Sequence, residues 1–67
     1  MSAEPERDDA RLGALVHALR TPLTIVEGFA DALARRGDEM SDEERAEYLE
    51  RIGEAAREMR ELLDGVR

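Results

Sequence analysis

Apolar residues in the first half of the chain recur at the spacing of an amphipathic helix. They form two heptad rows, one of Leu12, Leu19, Val26 and Leu33 and the other of Leu15, Pro22 and Phe29. The stripe is widened to a face typical of a helix bundle by Val16, Leu23 and Ala30. Pro5 suits the first helical position, and Gly37 is a typical stop signal. The pattern therefore predicts a first helix over residues 5–36.

The second half repeats this design after a short loop, predicted at 37–41. Ser41 followed three residues later by Glu44 is typical of a capping box, which predicts a second helix over 42–66. Its predicted seam consists of Leu49, Ile52, Ala56, Met59, Leu63 and Val66, flanked by Tyr48, Ala55 and Leu62. The spacing also predicts ion pairs on its outer face, namely Glu47–Arg51 and Arg57–Glu61.

The predicted fold class is all-α, with residues 1–67 forming a single domain. A loop this short folds two helices back antiparallel. Each apolar seam keeps one open side in such a hairpin, and 67 residues are too few to bury a comfortable core. We therefore expect the hairpin to form a homodimer, closing a four-helix bundle.

Composition narrows the possible functions. The chain has no cysteine and one histidine, which argues against disulfides and against thiolate or histidine-rich metal sites. A net charge of −7 argues against nucleic acid as a partner. Because no apolar run approaches the ~20 residues that cross a bilayer and the N-terminus lacks signal-peptide features, we expect a cytoplasmic domain without membrane insertion. Whether a longer parent protein is membrane-anchored stays open.

The candidate reactive side chains lie close together in the segment HALRTPLT, residues 17–24. The heptad places His17 on the outer face, where an imidazole is hydrated and partly neutral near physiological pH. A neutral, exposed imidazole is a nucleophile that another protein can reach. Arg20 and Thr21 share its surface by helical spacing, and the Arg20 guanidinium suits contact with phosphate oxygens.

Pro22 is the anomaly in this segment. It cannot donate to the carbonyl of Ala18, and a proline inside a helix costs ~3 kcal/mol. A break so soon after an exposed histidine suggests a bend that serves motion. Taken alone, the residues favour the plainer interpretation, in which His17 is an ordinary surface histidine and Pro22 a tolerated kink.

The heptapeptide HALRTPL resembles the H-box of the HisKA class of histidine kinases, whose pattern reads H-E/D-L-R-T-P-L, and six of seven positions agree. The resemblance covers the whole chain, from the long first helix to EYLERIGEAAREMRELL in the second. It implies a homodimeric four-helix bundle whose histidine accepts a phosphoryl group from ATP held by a separate catalytic domain. The histidine then passes the group to an aspartate on a response-regulator receiver domain.

The resemblance assigns roles to three residues. His17 matches the phosphoacceptor. Thr21 matches the position that helps to place the water that dephosphorylates the regulator. Pro22 matches the helix-bending proline.

Two departures from the family pattern matter. The sequence contains no Gly-rich phosphate loop and no Mg²⁺ site, so ATP and Mg²⁺ would be supplied by a separate catalytic domain and the chain alone is not expected to be a kinase. The acidic residue that follows the histidine in the family is Ala18 here. Since that carboxylate bonds the imidazole and acts as a base, its replacement implies slower autophosphorylation.

Beside the core stripe runs a band of small or apolar residues, Ala18, Ile25, Gly28 and Ala32. On pattern alone, helix-favouring filler explains this band as well as a binding surface does. The resemblance implies that regulators dock below the histidine against both helices. The matching positions are Thr24, Ile25, Gly28, Phe29 and Ala32 on the first helix, with Tyr48, Arg51 and Glu54 on the second. Phe29 and Tyr48 fit the core equally well.

Three functions therefore compete. The first is the phosphoryl-carrier domain of a sensor kinase. The second is a dimeric helical binding module that docks regulators without carrying phosphate, which Ala18 favours. The third, a stand-alone phosphotransferase similar to the sporulation relay protein, requires a degenerate nucleotide domain. The negative charge disfavours a DNA-binding helical dimer.

Overall fold

The computed structural model describes residues 4–65, with side chains described from residue 9 onward. It consists of helix α1, Glu4–Arg36, a 3-10 turn, Gly37–Glu39, and helix α2, Asp42–Asp64. The two helices pack against each other as a hairpin, and residues 4–65 contain no strand, which confirms the all-α fold class. The last predicted seam residue, Val66, lies outside the described residues.

The start of α2 is fixed by a capping box, as predicted. The Ser41 hydroxyl accepts a hydrogen bond from the Glu44 N–H at 3.0 Å, and the Glu44 carboxylate accepts one from the Ser41 N–H at 3.1 Å. These bonds satisfy two backbone donors that a helix N-terminus otherwise leaves without partners. The cap therefore sets where the chain turns back along α1.

Arg45 holds the connection between the helices, a role that the sequence did not reveal. Its Nη2 donates to the carbonyl oxygens of Gly37 at 2.8 Å and Met40 at 3.3 Å, while Nη1 contacts the Asp42 carboxylate at 3.2 Å. Gly37 opens the 3-10 turn with an ordinary negative φ. The turn is therefore stabilised by a side chain from α2, and Gly37 contributes no left-handed conformation.

Helix α1 runs without interruption through Pro22. The Pro22 ring is fully buried, and it lies beside Ala55, the one other buried side chain among the described residues. Removal of the ring from water offsets part of the cost of the missing backbone hydrogen bond. The proline therefore does not end the helix, while the predicted bend stays a prediction.

The hairpin is one helix thick. Its Cα atoms span 60 × 18 × 10 Å, and a single helix with side chains is about 10 Å across. Within the described residues, each helix is therefore covered only where it contacts the other, and no further layer lies over the hairpin. This geometry explains why so few residues are buried.

The inward-facing residues differ in part from the predicted seam. On α2, the predicted flanking residues Tyr48, Ala55 and Leu62 are buried or half-buried, whereas Leu49, Ala56 and Leu63 of the predicted seam are exposed. Only Ile52 and Met59 of that seam are half-buried. The predicted seam is therefore only partly covered within one hairpin, as expected for a seam that keeps an open side, because a heptad stripe marks an apolar surface without showing which neighbour covers it.

An apolar face stays uncovered on the hairpin, formed on α1 by Leu12, Val16 and Leu23 and on α2 by Leu49 and Leu63. We call these five residues the open face. Their exposures range from 45% for Leu23 to 59% for Leu12. So large an apolar surface on so small a chain is typical of an interaction surface.

Candidate functional site

His17 is exposed on α1, as the heptad predicted. Arg20 and Thr21, three and four residues further along, are exposed as well and lie on the same stretch of helix surface. The structure therefore brings a nucleophile, a cation and a hydroxyl together within one helical turn. All three are reachable from solvent.

The same face of α1 continues from His17 towards the loop. Thr21, Thr24 and Gly28 follow it at steps of four, three and four residues, a spacing that keeps them on one side of a helix. With a rise of 1.5 Å per residue, Thr24 lies about 10 Å and Gly28 about 16 Å from His17 along the axis. A partner lying on this face would therefore span the histidine and the residues below it.

Beside this face lies a groove between the helices, made of two adjoining depressions of about 260 Å³ each. We call it the interhelical groove. The depression nearer the loop is lined by Thr24, Ile25, Gly28, Phe29, Ala32 and Tyr48. The depression nearer His17 is lined by Pro22, Ile25, Phe29, Arg51, Glu54, Ala55 and Glu58. The structure thus brings all eight predicted docking residues together in one groove.

Glu58 is the lining residue that the sequence analysis missed. It stands seven residues after Arg51, so it lies on the same side of α2. Heptad repetition from Arg51 was the signal that would have found it. Its carboxylate adds a negative charge to the depression nearer His17.

The floor of the groove is apolar and its α1 side has a notch. Phe29 and Tyr48 pack together on the floor and are half-buried. At Gly28, a Cβ atom would meet nothing within 4 Å. The absent side chain therefore leaves space that the hairpin itself does not fill.

Charge pairing along the groove differs from the prediction. Arg51 Nη1 lies 3.3 Å from the Glu54 carboxylate, in place of the predicted pair with Glu47. The three ion pairs within the described part of the chain are Asp31–Arg35, Asp42–Arg45 and Arg51–Glu54, so the predicted Arg57–Glu61 pair does not form either. Arg57 instead lies over Gly53, with Nη1 3.7 Å from the position of a Cβ there.

Ala18 and Ala32 are half-buried, whereas Ile25 and Gly28 in the same band are exposed. The band is therefore not uniform, because its two alanines are partly covered and its other two members are open to solvent. Ala32 also lines the interhelical groove. Ala18 is thus half-buried, although its neighbour His17 is exposed.

Two properties of the described residues bear on other functions. Between residues 4 and 65, no group of three or more histidine, cysteine or carboxylate side chains is arranged to hold a metal ion. No helix within that range is long and apolar enough to cross a membrane.

Comparison with protein families identifies the family to which the chain belongs. Residues 10–67 match the model of the His Kinase A (phospho-acceptor) domain, so the match covers most of the sequence. The chain belongs to this family, the dimerisation and phosphoacceptor domains of the histidine kinases of two-component signalling. Domains of the family generally dimerise. No curated protein and no solved structure matches the chain with statistical significance.

Proposed function

We propose that His17 accepts the γ-phosphoryl group of ATP and passes it to an aspartate of a response-regulator receiver domain. ATP and Mg²⁺ are supplied by a separate catalytic domain, and the hairpin acts as a homodimer. The observation that carries this proposal is the exposure of His17 within HALRTPL, on the face of α1 that continues past the interhelical groove.

The chemistry needs a neutral imidazole. One ring nitrogen attacks the γ-phosphorus, and the bond from that phosphorus to the β–γ bridging oxygen breaks as ADP leaves. The other ring nitrogen carries the proton, so the imidazole becomes cationic unless a base removes it. Arg20, exposed three residues from His17, is placed to contact phosphoryl oxygens.

The open face supports the homodimer. A hairpin one helix thick exposes leucines on both helices, and a second copy would cover the same residues through two-fold symmetry. At about 25 cal/mol per Å², removing these side chains from water favours association. The result is the four-helix bundle that family membership implies.

The interhelical groove supports transfer to a receiver domain. It begins at Pro22, little more than one turn beyond His17, and it is open along its length. A receiver domain seated there would lie next to the exposed imidazole, which its aspartate must approach for transfer. Thr21 lies between the histidine and the groove, where its hydroxyl would hold a water beside the acyl phosphate.

Phosphorylation tests the proposal directly. The chain is mixed with the catalytic domain of another HisKA-class kinase, Mg²⁺ and radiolabelled ATP, and acid-labile, base-stable phosphate is measured. We expect His17→Gln to abolish labelling, whereas Glu27→Gln, on an exposed position elsewhere on α1, leaves it unchanged. Labelling that survives His17→Gln would remove His17 as the acceptor.

A second function is favoured by Ala18. Because no carboxylate follows the histidine, the domain also suits a dimeric binding module that docks regulators without carrying phosphate. This function predicts a folded dimer that binds receiver domains and gains no label from any HisKA catalytic domain tested. The same labelling experiment therefore separates the two functions.

A further inference from the structure

Gly13 lies one helical turn before His17 on α1, and both residues are exposed. Their spacing of four residues places Gly13 about 6 Å from His17 along the helix axis and about 40° around it. Because the Cα–Cβ bonds of a helix tilt towards its N-terminus, the His17 side chain extends over the turn that contains Gly13 and Ala14. We call the surface of these two residues the upstream flank of His17.

The backbone does not require a glycine at position 13. Helix α1 runs without interruption from Glu4 to Arg36, and no glycine among the described residues has a positive φ. A glycine inside a helix lowers its stability relative to alanine, because the glycine backbone loses more conformational freedom on folding. Gly13 therefore weakens α1 without serving a turn.

Packing within the hairpin does not explain Gly13 either. A Cβ atom at this position would meet nothing within 4 Å in the described part of the chain. The other two glycines inside the helices differ in their surroundings, since Gly28 lines the interhelical groove and Gly53 is covered by Arg57. Gly13 is thus the helical glycine whose open space adjoins the phosphoacceptor.

The surroundings of His17 differ between its two sides along α1. On the C-terminal side, Arg20 and Thr21 are exposed, and their Cα–Cβ bonds tilt back towards the histidine. On the N-terminal side, Gly13 has no side chain and Ala14 has only a methyl group. Groups that can contact phosphoryl oxygens therefore lie on one side of His17, and open space lies on the other.

Phosphorylation of His17 needs such space. The attacking ring nitrogen, the γ-phosphorus and the bridging oxygen of the leaving ADP lie roughly in line while the N–P bond forms and the P–O bond breaks. The nucleotide and the protein that holds it therefore extend well beyond the ring. A larger side chain at position 13 would lie against the ring, because residues four apart are neighbours on a helix surface.

We propose that Gly13 is a positioning residue for phosphorylation of His17, keeping the upstream flank clear for the catalytic domain and its nucleotide. The nucleotide approaches over Gly13, while Arg20 contacts the phosphoryl oxygens from the other side. Gly13 touches no reacting atom and acts only through the space that it leaves. This inference rests on the proposed function, since it concerns the step in which His17 gains its phosphoryl group.

Two phosphoryl donors of different size test this inference. Phosphoramidate is a small molecule that phosphorylates an imidazole directly, whereas ATP reaches His17 within a catalytic domain. Gly13→Leu in the full chain should lower the initial rate with the catalytic domain and ATP at least about tenfold, because small misplacements of reacting groups have large effects on rate. It should leave the rate with phosphoramidate unchanged. Gly13→Ala should give an intermediate rate with ATP.

Controls separate this effect from changes in stability and in surface bulk. Both Gly13 variants should melt at a higher temperature than the wild type, since alanine and leucine are better helix formers than glycine, so slower labelling would not reflect unfolding. Ala46→Leu adds bulk at an exposed site on α2, far from His17, and should leave both rates unchanged. Phosphohistidine is measured by mass spectrometry at matched dimer concentration, with His17→Gln as the background.

Equal rates with ATP for Gly13→Leu and the wild type would overturn the inference. An equal loss with both donors would overturn it as well, since the imidazole itself would then be shielded, and so would an equal loss for Ala46→Leu. A wild-type chain that gains no phosphate from the catalytic domain would contradict the proposed function and this inference with it. Failure of the inference alone is recognised because the wild type is then labelled normally.

Discussion

Phe29 of α1 and Tyr48 of α2 pack edge to face across the hairpin, with ring centroids 4.8 Å apart and ring planes at 65°. They are the only aromatic residues of the chain, so its one aromatic pair joins the two helices. Both rings also line the interhelical groove. The contact therefore serves two purposes, stabilising the hairpin and forming the floor of the groove.

Replacing either ring by alanine should lower the free energy of unfolding by about 1–3 kcal/mol, less than for a fully buried ring because both are half-buried. The double variant should lose ~0.5–1.5 kcal/mol less than the sum of the single variants, since the edge-to-face contact is then lost only once. Urea denaturation at matched protein concentration measures this. Strictly additive losses would show that the rings stabilise the hairpin independently.

The open face predicts which substitutions should disrupt the dimer. Leu23 and Ile25 are similarly exposed, at 45% and 40%, but they point to opposite sides of α1. Leu23→Glu should dissociate the dimer because it places a charge on the open face. Ile25→Glu, on the groove side, should leave the dimer intact.

Light scattering at micromolar concentration distinguishes these variants. A dimeric Leu23→Glu together with a monomeric Ile25→Glu would move the interface to the groove side. A wild-type monomer that melts cooperatively would contradict the dimer altogether.

Arg45, which is half-buried, should matter more to stability than an arginine in an exposed ion pair. Arg45→Ala removes the donor to two carbonyl groups of the turn and should cost about 1–3 kcal/mol. Arg35→Ala removes only the exposed ion pair with Asp31 and should cost less than about 1 kcal/mol. Denaturation of both variants at equal concentration gives the comparison, and equal losses would show that Arg45 does not hold the turn.

Replacing Ala18 by an acidic residue should raise the rate at which His17 is phosphorylated. A carboxylate at this position would accept the hydrogen bond of the second ring nitrogen and stabilise the cation that develops on His17. Since a positioned base commonly contributes 10²–10⁴-fold, Ala18→Glu should raise the initial phosphorylation rate with a supplied catalytic domain. Ala46→Glu adds the same charge at an exposed site on α2, far from His17, and should not.

Rates are compared at matched dimer concentration after circular dichroism has shown that both variants are helical. Ala18 is half-buried, so some loss of stability is expected alongside the gain in rate. A folded, dimeric Ala18→Glu that is no faster would favour the binding module.

Replacing Thr21 should affect hydrolysis of the receiver domain's acyl phosphate more than docking of the receiver domain. Thr21→Ala should slow dephosphorylation of a phosphorylated receiver domain more than it weakens docking, because the hydroxyl acts on the attacking water. Thr24→Ala, one turn further along and lining the groove, should affect docking without this selective effect. Equal dephosphorylation rates for Thr21→Ala and wild type would remove Thr21 from the site.

Local signals in the sequence predicted the helices well. Ser41 and Glu44 identified the start of α2 because a capping box depends on residues only three apart. The role of Arg45 was not predictable, since its bond to Gly37 depends on the path that the turn takes. Contacts set by tertiary geometry leave no periodic signal.

The same limit explains why the sequence did not show which apolar residues of α2 are covered within the hairpin. The pattern placed Leu49 in the seam of α2 and Ala55 beside it, yet Leu49 is exposed and Ala55 is buried. In a bundle, one apolar stripe is divided between the chain's own hairpin and a neighbouring chain, and periodicity does not show the dividing line. At the site, the exposed His17 followed from the heptad, whereas the grouping of eight docking positions around one groove required the fold.

The register of the hairpin has a consequence for how it opens. Phe29 and Tyr48, near the turn, are separated by 19 residues, whereas Pro22 and Ala55, nearer His17, are separated by 33. Closing the longer segment costs only about 0.5 kcal/mol more, yet it brings contacts that form after those beside the turn. The contacts between the helices should therefore form first beside the turn and be lost first at the opposite end. The phosphoacceptor end is then the first part to loosen, and the turn held by Arg45 the last.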